Sequence, residues 1–141
     1  MNQFKSLPEY ENFVYTLSQQ YPYILHSTLI VTRHGRYMAE LTGELAFPSG
    51  HRLVVYERLT WDIGPLIIEG YSYEVWDSND KVYWYDSQPH PADLDLASTH
   101  PHHKHIPPNI KRHRVPAPGL SFTHPNITFL LHEIKTTLLQ G

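Results

Sequence analysis

The chain has 141 residues, 40% hydrophobic and 18% charged, a formal net charge of −3 with neutral histidines, and no cysteine. Its length suits one domain over residues 1–141, since compact domains centre on roughly 100–150 residues, and the lack of cysteine excludes disulfides, thiolate ligands and a cysteine nucleophile. The slightly acidic balance excludes a broadly basic nucleic-acid coat, and no stretch approaches the ~20 apolar residues of a membrane span, so a cytoplasmic protein without a membrane partner is expected.

Ser6-Leu7-Pro8-Glu9 has the form of a capping box, and Tyr10, Phe13, Val14, Leu17 and Tyr21 follow at helical spacing, which predicts a helix from Leu7 to Gln20. Pro22 stops it, and the β-branched run from Ile24 to Thr32 reads as a strand turned at His34-Gly35. From Arg36 to Phe47 apolar and polar residues alternate, with Tyr37, Ala39, Leu41, Leu45 and Phe47 on one face. Pro48-Ser49-Gly50 turns into a strand from His51 to Trp61, and two more follow, from Leu66 to Trp76 and, after Asp77-Ser78-Asn79-Asp80, from Lys81 to Ser87. A meander of about five strands is the simplest reading.

Eight of the twelve prolines then fall between Pro89 and Pro125, which predicts a long irregular loop. Loops of that length in small domains are usually functional or disordered, so this one points to the site. A closing helix carries the stripe Ile127, Leu130, Leu131, Ile134 and Leu138, with Thr123 as its cap and Phe122 stapled onto Ile127. The expected fold is therefore α+β: a curved antiparallel sheet flanked by an N-terminal and a C-terminal helix, with a His/Pro-rich loop before the latter.

The densest chemistry is His100-Pro101-His102-His103-Lys104-His105, after His90 and before Lys111-Arg112-His113-Arg114. Imidazoles move protons near neutral pH and a neighbouring cation stabilises phosphorane-like charge, so these parts suffice for metal-free RNA cleavage through the 2′-hydroxyl. Here His103 and His105 exchange protons, Lys104 meets the developing charge and Asp86 orients an imidazole. Tyr73 or Tyr85 stacks on a base, while His90, His102, Arg112 and Arg114 complete the substrate contacts. His90, His102, His103 and His105 with Asp86 are equally able to hold zinc or another divalent cation. The plain alternatives are a polar tract with adventitious metal affinity, a basic cluster that is only a solvated loop face, and tyrosines that merely pack.

The second half of the chain resembles the TumE-type family of bacterial toxin–antitoxin proteins. The resemblance is carried by Tyr71-Ser72-Tyr73, the hairpin return ending in Tyr85-Asp86-Ser87, His90, the run Pro101-His102-His103-Lys104-His105 and the closing helix; the family's His-[Lys/Arg]-His maps onto His103, Lys104 and His105. It implies a toxin acting on RNA, restrained by a small antitoxin protein from a neighbouring gene. No cofactor is required for the metal-free chemistry above, a divalent metal being the alternative, and homo-oligomers stay open. The N-terminal helix stands outside the resemblance, which makes it a candidate for assembly. Two other functions remain in play: a non-catalytic protein-interaction or metal-binding module, and a metal-dependent hydrolase.

Overall fold

The computed structural model describes residues 6–62, 64–88, 101–110 and 112–139. Eight strands, all antiparallel, form one sheet: β1 (His26–Ser27), β2 (Ile30–His34), β3 (Met38–Ala46), β4 (His51–Thr60), β5 (Ile67–Asp77), β6 (Asp80–Asp86), β7 (His103–His105) and β8 (Arg114–Pro116). Their order is β1-β3-β4-β5-β6-β7-β8, with β2 also on the outer edge of β3.

The sheet has more strands than the five expected, for two physical reasons. The predicted strand from Ile24 to Thr32 is broken at Thr28-Leu29, where the chain crosses Gly43 of β3. Gly43 has φ +129°, and a Cβ there would lie 2.5 Å from the Thr28 carbonyl oxygen, so only glycine admits the crossing. The proline-rich segment, expected to be irregular, contains β7 and β8. Each is three residues long, too short for its periodicity to show, and each gains its order by pairing with a strand already in place.

Alternation along β3, β4, β5 and β6 sends Leu41, Leu45, Leu53, Val55, Leu59, Ile68, Tyr71, Tyr73, Val75, Tyr83 and Tyr85 to one face, where the helices cover them. Helix α1 (Leu7–Tyr15) starts at Ser6, whose Oγ accepts from the Glu9 N–H at 3.3 Å, and buries Leu7, Tyr10, Phe13 and Val14; a short turn, α2 (Leu17–Gln20), follows it. The N-terminal helix thus belongs to the common core. Helix α3 (Ile127–Ile134) buries Ile127, Leu130, Leu131 and Ile134 and continues into a π-helical stretch, Lys135–Leu139, where Leu138 is half-buried. Its N-cap is Asn126 rather than Thr123. The Asn126 amide does not cap; it donates to Tyr73 Oη at 3.0 Å and to the Ser121 carbonyl, tying the helix to the sheet.

Beneath α1 a carboxylate lies in the core. Glu57 is completely buried and accepts from Tyr10 Oη and Tyr73 Oη, both at 2.5 Å. Burial pushes its carboxyl up to about 7, and the two phenol donors hold back part of that rise.

Candidate active centre at the junction of two strands

Strand register decides which of the candidate residues meet. Across β6 and β7, Trp84 faces His105, Tyr85 faces Lys104 and Asp86 faces His103. Side chains alternate along each strand, so Trp84, Asp86, His103 and His105 share the outer face of the sheet while Tyr85 and Lys104 share the inner one. The histidine run, read as a loop, is a strand whose middle residue points away from its two neighbours.

On the outer face three groups converge. His103 Nε2 lies 2.8 Å from Asp86 Oδ1, His105 Nε2 lies 3.3 Å from Asp86 Oδ2, and the two Nε2 atoms are 3.1 Å apart. Each imidazole is fixed from behind by a backbone carbonyl, Pro101 O at 2.9 Å from His103 Nδ1 and Ile110 O at 2.8 Å from His105 Nδ1. The carboxylate is held as well: Trp84 Nε1 donates to Oδ2 at 3.0 Å and the Gln88 N–H to Oδ1 at 3.1 Å. The Trp84 ring stacks on His105 with centroids 3.9 Å apart. His103 is wholly buried, His105 nearly so, and the Asp86 side chain keeps 20% of its surface.

Burial disfavours ionised Asp86, yet hydrogen bonds from His103 and Trp84 overcome it and bring the carboxyl down to about 2. For His103, burial favours the neutral ring and the Asp86 hydrogen bond prevails, raising its pKa. His105 moves the opposite way, because burial outweighs the pull of Asp86. Arg114 pairs with His105 across β8, and its positive charge pushes both imidazoles toward neutrality.

Other expected contributors are elsewhere. Lys104 is on the inner face, 3.4 Å from Glu133 Oε2 and 4.1 Å above the Tyr83 ring, so it does not stand beside the imidazoles. Tyr73 is fully buried on Glu57 and Asn126, and Tyr85 is buried with its hydroxyl donating to Glu133 at 2.7 Å; neither presents a ring for stacking on a base. His102 turns from the centre to Tyr71, whose hydroxyl is 2.6 Å from its Nδ1, and to the Phe122 ring. Arg112 is exposed in the turn between β7 and β8, and His90 lies outside the described residues. Trp84 was the missed member: it precedes Asp86 by two on the same strand, a spacing that already places both on one face.

Among the described residues no helix is long and apolar enough to cross a membrane. The family model described as "Toxin TumE" matches residues 14–138, most of the chain rather than its second half alone. No curated protein and no solved structure matches it.

Proposed function

This chain belongs to the TumE toxin family, and we propose that it cuts RNA at the centre formed by Asp86, His103 and His105. Toxins of this kind work beside an antitoxin, so an antitoxin partner follows from the membership, and a small protein from a neighbouring gene in the same cytoplasm is the partner expected here. The observation that carries the reading is the convergence of two imidazoles and a carboxylate from adjacent strands, each held from behind by its own hydrogen bond. Positioned, orienting partners of this sort distinguish reactive groups from casual surface contacts.

RNA is the substrate that this chemistry suits without a separate nucleophile. Attack of the 2′-hydroxyl on the adjacent phosphate forms the P–O2′ bond of a 2′,3′-cyclic phosphate and breaks the P–O5′ bond; it needs a group to accept the 2′ proton, a proton for the departing 5′-oxygen and a positive charge against the phosphate oxygens. The three-residue centre supplies the first, water the second and Arg114 the third. A phosphate straddled by the two histidines does not fit, since their Nε2 atoms are 3.1 Å apart; the centre works from one side of the phosphate. The complete burial of His103 favours a second reading, in which the triad merely pins β7 to β6.

Cleavage of total cellular RNA by the purified protein separates the two, alongside growth arrest on expression. His103→Gln and Asp86→Asn are expected to lose ~10²–10⁴-fold in rate, the usual weight of a proton-transfer group, with circular dichroism showing each variant folded at an assay temperature below its lowered thermal midpoint. Lys104→Met, on the other face, should cut at the wild-type rate. Folded variants that cleave normally would leave the triad with the pinning role only.

A further inference from the structure

We propose that Asp86, His103 and His105 form a binding site for one divalent transition-metal ion of the zinc class. This deepens the reading above by saying what the centre holds: with the ion bound, a water or hydroxide on it, rather than an imidazole, would take the 2′-hydroxyl proton, and only this use on RNA rests on that reading.

The argument is one of donors and acceptors. A backbone carbonyl only accepts, so Pro101 O and Ile110 O require the hydrogen of each imidazole to be on Nδ1. In each neutral ring that leaves a lone pair on Nε2. Two lone pairs and a carboxylate then face one another across 2.8, 3.1 and 3.3 Å, a meeting of acceptors that favours a positive charge between them. A proton bonds well to one pair of them, whereas a metal ion takes all three. Three atoms bound about 2.0–2.1 Å from a tetrahedral zinc stand about 3.3–3.4 Å from each other, so occupancy asks for an expansion of only tenths of an ångström.

The surroundings fit the same ion. Metal-bound histidines usually donate their second nitrogen's hydrogen to a carbonyl or carboxylate, and ligating carboxylates are themselves hydrogen-bonded; Pro101, Ile110, Trp84 and the Gln88 N–H fill these places. Two nitrogens and one oxygen suit zinc and its neighbours better than magnesium or calcium, which take oxygen ligands throughout. The described residues supply three side-chain ligands, their atoms all within 4.8 Å of one another. Three protein ligands and an open position are the pattern of catalytic rather than structural zinc.

The test is a cobalt(II) chloride titration of chelator-stripped, untagged full-length protein, followed by visible absorption, with zinc as competitor. One cobalt per chain is expected, with the intense spectrum of a four- or five-coordinate ion, displaced by one equivalent of zinc. His103→Gln and Asp86→Asn should weaken binding by at least ~100-fold, and Trp84→Phe, which keeps the ring but loses the donor to Asp86, by ~10–100-fold. Should a side chain at the triad prove essential for folding, the thermal shift of wild type with zinc reads the same site, a rise in midpoint being expected. His124→Ala/His132→Ala, on exposed histidines outside the triad, should leave the spectrum unchanged. A wild-type protein that takes up no cobalt, or one whose cobalt spectrum survives in folded His103→Gln and vanishes in the double variant, overturns the site. RNA cleavage that persists in chelator without cobalt uptake sinks the metal and spares the ribonuclease; cobalt bound at the triad by a protein that cuts no RNA does the reverse.

Discussion

Glu57 carries its carboxyl where water does not reach, and two tyrosine hydroxyls are its company. With a folded value of about 7 against an ordinary 4.5, it takes up a proton on folding between those values. Its contribution to stability is therefore greatest below about pH 4.5 and is lost as pH rises through about 7. The thermal midpoint of wild type should fall across that window relative to Glu57→Gln, whose amide has no proton to lose. Parallel midpoint profiles for the two proteins would show that Glu57 does not titrate there. The same scale shows where sequence reasoning on side chains stops. His103 and His105 were legible as a pair from the density of imidazoles around Lys104, and Asp86 from its place after an aromatic strand. Lys104 was not separable from them, because which neighbours share a face depends on whether the run is a strand. Tyr73 and Tyr85 looked available for stacking because nothing local says which side of the sheet the helices cover.

The elements with long, regular patterns were the readable ones. The capping box at Ser6, the alternation of β3 and the stripe of α3 each speak within a dozen residues, and each stands in the structure. What escaped was set by partners far along the chain: β7 and β8 pair onto the edge that β6 offers, and Asn126, not Thr123, stands at the head of α3 with its amide bound to Tyr73. The break between β1 and β2 has the same origin, in a glycine on the neighbouring strand. Gly43→Ala adds a Cβ 2.5 Å from the Thr28 carbonyl oxygen at a φ that side chains avoid. Backbone strain of this kind costs about 1–3 kcal/mol before any clash. A chemical-denaturation curve should show a loss of at least that size, with the β1–β2 edge more open to hydrogen exchange than the rest of the sheet; an unchanged curve would mean that the crossing adjusts freely.

Taken whole, the molecule divides its labour between two faces of one sheet. The inner face is closed by α1 and α3, and the outer one carries the centre at its β6–β7 end. The family match from residue 14 onward reaches well beyond the half that the motifs announced, and α1, which it only partly includes, is locked to the sheet through Tyr10 and Glu57. Co-expression of the proposed antitoxin, a small protein from a neighbouring gene, should restore growth and co-purify with the chain, whereas unrelieved growth arrest would send the search for the partner elsewhere in the genome.

Asp86 and its two imidazoles stand seventeen and nineteen positions apart along the chain, and the helix that closes the inner face comes later still, at Ile127–Ile134. At a synthesis rate of about 5–20 residues per second, the carboxylate waits roughly 1–4 s for its histidines and longer for α3. The proposed centre is therefore incomplete until β7 has been made, however early the strands before it appear.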